Sequence, residues 1–417
     1  MKITKYIILF FLVPALFVAF VPGRIVLITV LSCYPLIMLI VPSILKMDKK
    51  DIDGRHYINL YIFYSLIILF RAVIDADSPQ DISTMVSTGV STFLFLPFII
   101  YYTANTRTIY YLFSTFIKYG LILSLIILLK GEIGNMDFAH TVSPVYLLIL
   151  FIPYLNKKWS TFIILLAIVS FFSDLSIRSN MINILLAFSI AFTFKFHKSI
   201  LMYSSIKLLR TILILAPVVF VVLGVTEVFN IFSLGDIYGE YVIETADGET
   251  QDLIVDSRTA IYRDVIVQLQ KDESFLFGLG GSGTTETSLT DSADPNFADI
   301  YKEGRRGTES GMLNYAQWGG FVGVVIYFLL FIKASYFGVY KSNNWLCVMI
   351  GLWVAFKVLF SFIEDRLGFN IHTLFIFVPM GMCFNRQLRA MNDNQIKVLI
   401  RGIFEKKYIK VFITLPK

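Results

Sequence analysis

Two arginines and one glutamate have the residue types and positions that could do chemistry on a charged substrate. Arg178 follows the polar segment 173–177 at the start of an apolar run, and Arg258 opens an amphipathic segment. An arginine beside a helix N-terminus can bind phosphate through free N–H groups and bidentate contacts. Glu309 lies just before another apolar run, and its carboxylate could act as a general base. The alternatives are an interfacial anchor for Arg178, a solvated helix arginine for Arg258 and an exposed loop carboxylate for Glu309.

The residues that follow Arg258 predict a helix. Arg258 and Tyr262 would share one face of it, while Arg263 would point about 140° away, because each residue advances by about 100°. We therefore expect the two arginines to have different roles. The apolar residues with helical spacing are Ile261, Val265, Ile266 and Leu269.

The segment 277–283 is rich in glycine, which permits left-handed backbone and a close approach to a ligand. No strand is predicted before it and no helix after it, so it does not fit a dinucleotide-binding fingerprint. Ionisable residues also occur inside apolar runs, where they are costly and become functional candidates by default. These are Arg71, Lys118 and Lys357, for which snorkelling or pairing within a helix bundle is the alternative.

Residues that could bind a metal are scattered. The three cysteines, Cys33, Cys347 and Cys383, fall inside apolar runs, and the four histidines are far apart in sequence, so we expect neither a disulfide framework nor a metal site. The acidic pairs 51/53 and 75/77 match a sugar-nucleotide metal pattern, but matches this short are common, and we interpret them as solvated loop carboxylates.

The elements that must position these residues are membrane helices. The chain has 417 residues, of which 56% are hydrophobic and 16% charged, with a mean hydropathy of +0.71. Its apolar runs are each close to the roughly 20 residues that a helix needs to cross about 30 Å of hydrocarbon. We therefore predict an all-α polytopic membrane protein with about twelve transmembrane helices. The predicted spans are residues 6–22, 25–46, 57–74, 83–103, 109–129, 141–155, 159–174, 181–196, 207–226, 312–333, 345–363 and 369–384.

Basic residues predict the orientation, because short cytoplasmic loops are enriched in Lys and Arg. With the N-terminus inside, the inner segments hold 23 of them and the short outer loops hold 4. Both termini are then cytoplasmic in a bacterial inner or cytoplasmic membrane. The predicted organisation is nine spans (1–226), an extracytoplasmic, partly helical loop (227–311), three spans (312–384) and a basic tail (385–417). The tail is expected to contact anionic lipid headgroups rather than nucleic acid.

The order of these motifs along the chain resembles the O-antigen polymerase and O-antigen ligase superfamily. The resemblance rests on the segment 176–180, then 256–262 in a long outer loop, then 277–280, and finally the segment 309–323 that enters a late span. It implies transfer of a glycan from an undecaprenyl diphosphate carrier, outside the membrane and without metal or cofactor. Arg178 and Arg258 would then bind the diphosphate.

The ligases of this superfamily usually carry a histidine where this chain has Glu309, so the resemblance favours a polymerase with Glu309 as its catalytic base. Tyr262, Gly280, Gly281 and Arg305 are expected to line the same cavity. Such a polymerase joins lipid-linked repeat units into O-antigen or capsule, with a flippase and a chain-length regulator as implied partners. Two alternatives stay open: an O-antigen ligase, and a flippase or other transporter of lipid-linked oligosaccharide.

Overall fold

The structure is a computed structural model of the chain. Helices dominate the residues that it describes, and the predicted spans 6–22 and 25–46 lie outside them. The described residues are 51–76, 78–85, 89–90, 93, 95–122, 124, 126, 141–172, 178–226, 242–244, 250–252, 258–286, 304–305, 307–364, 367, 370–405 and 408.

Short non-α turns extend several of the helices. A π-helical turn, Phe116–Gly120, continues α4, and 3₁₀ turns follow α5 (Ile152–Tyr154) and α7 (Thr193–Phe196). Strands β1 (Val242–Glu244) and β2 (Thr250–Asp252) pair antiparallel in the long loop. The helices are α1 (Arg55–Ile74), α2 (Pro79–Thr84), α3 (Leu96–Thr103), α4 (Thr106–Thr115), α5 (Val145–Phe151), α6 (Lys157–Phe172), α7 (Arg178–Phe192), α8 (Ile200–Val225), α9 (Arg258–Lys271), α10 (Gly311–Tyr340), α11 (Trp345–Ile363), α12 (Ile371–Phe384), α13 (Arg386–Ala390) and α14 (Asp393–Phe404).

Within the described residues, five helical segments are long and apolar enough to cross a membrane: α1, α7 with its 3₁₀ turn, α8, α10 and α11. Shorter apolar helices occur at Val145–Tyr154 and Ile371–Phe384. A helical, membrane-embedded chain is therefore supported, while the count of twelve spans stays a prediction. Between the predicted limits 83 and 103, the described residues are helical: α2 ends at Thr84, residues 85, 89, 93 and 95 have π-helical geometry, and α3 begins at Leu96.

Helix α11 lies at the centre of the bundle. Of its most apolar 18-residue window, 89% is buried, whereas only 22% of the corresponding window of α8 is buried. It packs against α10, α8, α12, α5 and α7. Helices α1 and α8 instead expose rows of large apolar side chains, such as Phe63, Phe70 and Val222. Such surfaces fit a hydrocarbon environment rather than water.

The two ends of the bundle differ. At one end, here called the loop end, α10 begins, α11 ends and α9 docks. At the other, here called the tail end, α13 and α14 pack beneath the helices. There Arg389 forms an ion pair with Asp53 and donates to the carbonyl of Lys341, and Asp393 accepts from Trp345 N and Tyr154 Oη. These contacts anchor the start of the predicted basic tail, of which residues 406, 407 and 409–417 lie outside the described part.

Helix α10 is broken near its loop end, at Gly320, where φ is 62° and ψ is −163°. The break removes the helical hydrogen bonds that the carbonyls of Gln317 and Trp318 would accept. The segment Ser274–Gly280, here called the inserted loop, replaces them: Leu279 N donates to Gln317 O and Gly280 N donates to Trp318 O. In return, the inserted loop accepts two hydrogen bonds, from Phe321 N to Phe275 O and from Val322 N to Leu276 O.

Gly278 and Gly320 make this contact possible. A Cβ atom on Gly278 would lie 2.5 Å from Gly320 N, and one on Gly320 would lie 2.5 Å from Gly278 N. Both residues also have positive φ, which glycine adopts without steric cost. The glycine pair therefore lets two irregular backbones exchange hydrogen bonds inside an apolar bundle, where an unsatisfied backbone group is expensive.

Candidate functional site

Helix α9 positions the first candidate residues by docking on the loop end of α10. Its buried face is Ile261, Val265 and Leu269, which form a small apolar cluster with Leu313 of α10. The predicted helix is confirmed, but Ile266 is exposed, because the face that meets α10 is narrower than the apolar pattern suggested. Arg263 is exposed on the other side.

Tyr262 connects α9 to the ends of α10 and α11. Its hydroxyl donates to the carbonyl of Phe362 at 2.6 Å and lies 3.2 Å from Ser310 Oγ. Ser310 is the N-cap of α10, since its Oγ accepts from Leu313 N, and it also reaches Ser361 O at 2.8 Å. Burial raises the pKa of Tyr262 above its ordinary value, so the phenol stays a neutral donor. The tyrosine therefore locks the loop helix to two membrane helices.

Arg258 lies on the same side of α9 as Tyr262, as predicted. One of its terminal nitrogens is 3.5 Å from a carboxylate oxygen of Glu364, which follows α11, and the two side chains are 37% and 30% exposed. Its Nε is buried and has no hydrogen-bond partner among the described residues. Arg258 thus holds one anionic partner and keeps a second donor unused.

Glu364 is a residue that the sequence interpretation missed. It forms part of an acidic pair immediately after an apolar span, and that position was the available signal. The contact with Arg258 depends on the docking of a loop helix 106 residues earlier in the chain, which the spacing of neighbouring residues does not reveal.

Glu309 pairs with Arg305 at 3.3 Å, where the glutamate side chain is 49% exposed and the arginine 13% exposed. Backbone contacts fix this arginine: Arg305 and Thr285 exchange hydrogen bonds of 2.7 and 2.9 Å, and Gln317 Nε2 donates to Arg305 O at 3.0 Å. Glu309 precedes the N-cap Ser310, so this pair lies next to Tyr262. A carboxylate in this position can accept a proton from a bound hydroxyl.

Gly280 and Gly281 lie on the other side of the broken helix, against α1. The Cβ position of Gly280 faces Asp75 at 3.5 Å, and that of Gly281 faces Ala72 at 3.3 Å. Gln317 connects this glycine segment to Arg305. Its backbone carbonyl accepts from the N–H of Leu279, the residue before Gly280, and its side-chain Nε2 donates to Arg305 O. Whether they share a cavity with Tyr262 and Arg305 stays a prediction.

Arg178 is exposed at the first residue of α7, where the sequence predicts it, and forms no hydrogen bond or ion pair with the described part of the chain. Two residues later, Asn180 accepts from Tyr146 Oη at 2.7 Å and donates to Ser170 O at 2.6 Å. These bonds fix the start of α7 against α5 and α6. The structure brings Arg258, Tyr262 and the residues beside Glu309 together, but it gives no direct contact between them and Arg178.

The intramembrane cations mostly have structural partners. Arg71 donates to the carbonyls of Phe277 and Gly278 at 2.6 and 3.0 Å, and Lys357 is buried beside the rings of Trp353, Phe356 and Phe360. Lys118 lies over the ring of Tyr119. Arg210, which falls inside the predicted span 207–226, is buried within α8, with Nε donating to Ser335 Oγ at 2.9 Å.

The acidic pairs have different surroundings. Asp53 bonds to Arg389 and Asp51 accepts from Gln387, so neither is merely solvated, while Asp77 lies outside the described residues. Within the part of the chain that the structure describes, no three His, Cys, Asp or Glu residues are close enough to hold a metal ion.

No family model, curated protein or solved structure matches the chain. Chemical interpretation therefore rests on the loop end itself. That end presents two arginines, a buried phenol and two carboxylates within one connected set of contacts. It can bind an anion through guanidinium groups, and it can accept a proton from a neutral nucleophile.

Proposed function

We propose that this chain is a membrane glycosyltransferase that polymerises lipid-diphosphate-linked oligosaccharide repeat units into a cell-surface polysaccharide. The substrate would be an undecaprenyl diphosphate glycan, and the reaction would take place on the extracytoplasmic face. The observation that supports this most is the docking of α9, which holds Arg258 beside Glu364 and Tyr262 beside Ser310, the residue next to Glu309. The order of motifs that resembles the O-antigen polymerases points to the same residues.

The reaction is a single displacement. A sugar hydroxyl oxygen of the acceptor attacks the anomeric carbon of the donor, the bond from that carbon to the diphosphate oxygen breaks, and the configuration inverts. Glu309 takes the hydroxyl proton as the new bond forms. Arg258 balances the negative charge that grows on the departing lipid diphosphate. Diphosphate is already a stable leaving group, so no second carboxylic acid is required to protonate it, in contrast with a glycosidase.

Arg178 would supply a second guanidinium for the diphosphate. Its side chain is exposed at the first residue of α7, where its guanidinium can contact an anion. Arg305 would keep Glu309 oriented through their ion pair of 3.3 Å rather than bind the substrate. Each of these roles predicts a different result when the residue is changed.

The test uses the purified full chain in lipid nanodiscs, supplied only with lipid-linked repeat units, and resolves product length on a gel. We expect the unsubstituted chain to give a ladder. Arg258→Ala and Glu309→Gln should each reduce the initial rate by about 100-fold or more, the range typical of lost charge stabilisation or general-base catalysis. Arg178→Ala should raise the KM for the lipid diphosphate.

Two matched controls come from the same loop. Arg263→Ala removes an exposed guanidinium from the opposite face of α9, and Glu286→Gln removes an exposed carboxylate that pairs with Lys271 at the surface. Both should keep the ladder. A ladder that survives Arg258→Ala and Glu309→Gln would refute the assignment of these residues. No ladder from the unsubstituted chain, but transfer to a separate lipid A core or protein acceptor, would favour the ligase; lipid translocation without transfer would favour a flippase.

A further inference from the structure

The inserted loop exposes an apolar edge at an unexpected depth in the bundle. Phe275, Leu276 and Phe277 are 48%, 55% and 56% exposed, although the segment lies between two helices. Phe275 stacks on Phe321 of α10 with ring centroids 6.3 Å apart and an angle of 11° between the rings. Phe321 is itself 55% exposed. These side chains therefore form one continuous apolar surface with the outward face of α10.

Two helices give the depth of this surface. Arg71, which donates to Phe277 O, lies four residues before Asp75 at the end of α1, or about 6 Å along the helix axis at 1.5 Å per residue. Trp318, whose carbonyl accepts from Gly280 N, lies seven residues beyond Gly311 at the start of α10, or about 10 Å along that helix. The inserted loop thus lies about 6–10 Å inside the loop ends of both helices, at a depth that falls within the roughly 30 Å of hydrocarbon that such helices cross.

Irregular backbone at such depth requires internal hydrogen bonds, because hydrocarbon offers none. Four backbone bonds connect the inserted loop to the break in α10, and Gly278 N donates to Ser274 O at 2.7 Å. Arg71 binds the two carbonyls at the turn, those of Phe277 and Gly278. The polar backbone is therefore directed toward protein while the phenylalanine and leucine side chains are directed away from it, which is the arrangement expected of a segment in lipid.

A cavity of about 270 Å³ lies between the inserted loop and α1. Tyr64, Ile67, Ile68 and Phe277 give it an apolar wall, and the polar side chains of Arg71, Glu273 and Ser274 line its rim beside Gly278. Ile67 and Phe277 belong both to the cavity and to the exposed apolar surface, so the cavity continues into the lipid-facing side of the bundle. Its chemistry matches an amphiphile whose chain enters between α1 and the loop.

We propose that the inserted loop is a re-entrant segment that lies in the hydrocarbon of the leaflet at the loop end, and that its cavity binds the acyl chain of a bilayer phospholipid. The side chains of Phe275, Leu276 and Phe277 contact lipid, and Arg71 donates hydrogen bonds to the two carbonyls at the turn. The polar rim of the cavity lies toward the headgroups. This binding site does not depend on the glycosyltransferase reaction.

The first experiment measures depth by fluorescence quenching. An environment-sensitive fluorophore is attached to the cysteine of Leu276→Cys and, as a matched control, to that of Arg263→Cys on the exposed face of α9. Labelling of the unsubstituted chain, which has three native cysteines, measures the background fluorescence to be subtracted. In nanodiscs, the probe at 276 should be quenched several-fold more by a chain-linked nitroxide lipid than by aqueous iodide, and the probe at 263 should show the reverse. Equal quenching of both probes by iodide would overturn the insertion.

The second experiment tests the cavity with a phospholipid that carries a photoreactive diazirine in its acyl chain. Crosslinks should form on peptides that contain residues 64–71 and 274–278. Ile67→Trp fills the cavity and should reduce them at least threefold, whereas Leu66→Trp changes a neighbouring exposed side chain that does not line the cavity. Equal crosslinking of the two variants would overturn the cavity assignment, as would displacement of the crosslink by a polyprenyl phosphate but not by unlabelled phospholipid.

Discussion

Replacing Gly320 by alanine tests the break in α10 most directly. The residue has φ 62° and ψ −163°, a conformation that is almost restricted to glycine, and such strain costs about 1–3 kcal/mol in other residues. The new Cβ would also lie 2.5 Å from Gly278 N and from the carbonyl of Leu276, neither of which is a flexible side-chain end. Relief of this clash must move the inserted loop away from the helix.

Moving the loop would break or weaken the four backbone hydrogen bonds between residues 275–280 and 317–322. At about 0.5–1.5 kcal/mol each, their loss alone would cost about 2–6 kcal/mol. We therefore expect Gly320→Ala to lower the free energy of unfolding by about 3 kcal/mol or more, because the folded variant must either keep the strained backbone or lose these hydrogen bonds. Unfolding can be followed by circular dichroism in mixed micelles with increasing denaturing detergent.

Gly224→Ala is the matched control, since a Cβ on Gly224 meets nothing within 4 Å and the residue lies in α8. Alanine in a helix is about 0.8–1 kcal/mol more favourable than glycine, so this variant should be neutral or slightly stabilised. If the two variants differ by less than about 1 kcal/mol, which is no more than this propensity term, the reasoning about the broken helix is wrong.

Three further variants test other contacts. Arg71→Lys keeps the charge but loses the fork that binds two carbonyls, and should lower the free energy of unfolding by about 1–2 kcal/mol in the same assay. Tyr262→Phe should cost about 1 kcal/mol at neutral pH. Burial raises the pKa of Tyr262, so the contribution of its hydroxyl to the free energy of unfolding should be full below pH about 10 and be lost as the pH rises further. In alkali, Tyr262→Phe should therefore lose less stability than the unsubstituted chain does, which a pH series of unfolding measurements would show. Asp53→Asn removes the ion-pair partner of Arg389, whose side chain is 4% exposed. Because the Asp53 side chain is 35% exposed and water screens it, the variant should cost about 1–2 kcal/mol, with part recovered in the double variant with Arg389→Met.

The sequence predicted features that depend on local pattern. The helical spacing at 261, 265 and 269 and the shared face of Arg258 and Tyr262 match α9, and the predicted start of the span at residue 312 lies within one residue of α10. Positive φ at Gly278 and Gly280 likewise follows from residue type. In each of these cases, the residues that decide the structure are close in sequence.

Contacts between distant segments could not be predicted in this way. The dipeptide 319–320 gave no sign that α10 would break, because glycine in an apolar span is also compatible with close helix packing. The break becomes favourable only when the inserted loop, some 40 residues earlier, supplies four replacement hydrogen bonds. The partners of Arg71 and Arg258 depend on the same long-range docking, so their positions were visible in the sequence but their contacts were not.

The ion pair between Arg258 and Glu364 leads to a last prediction, which rests on the proposed function. We expect a lipid diphosphate to take the terminal nitrogen of Arg258 that now contacts Glu364. Because both of these side chains are about one-third exposed, their ion pair contributes only about 0–1 kcal/mol. Glu364 would then hold the guanidinium in position until the substrate arrives.

Glu364→Gln should remove this competition and lower the KM for the lipid diphosphate by up to about fivefold, the factor that corresponds to about 1 kcal/mol, with kcat unchanged. Salt screens exposed charges, so the difference should shrink as ionic strength rises. A fall in kcat with unchanged KM would contradict this role, because it would indicate that Glu364 takes part in the reaction or holds α9 in place. The direction of the change in KM therefore distinguishes a counter-ion that the substrate displaces from a structural anchor.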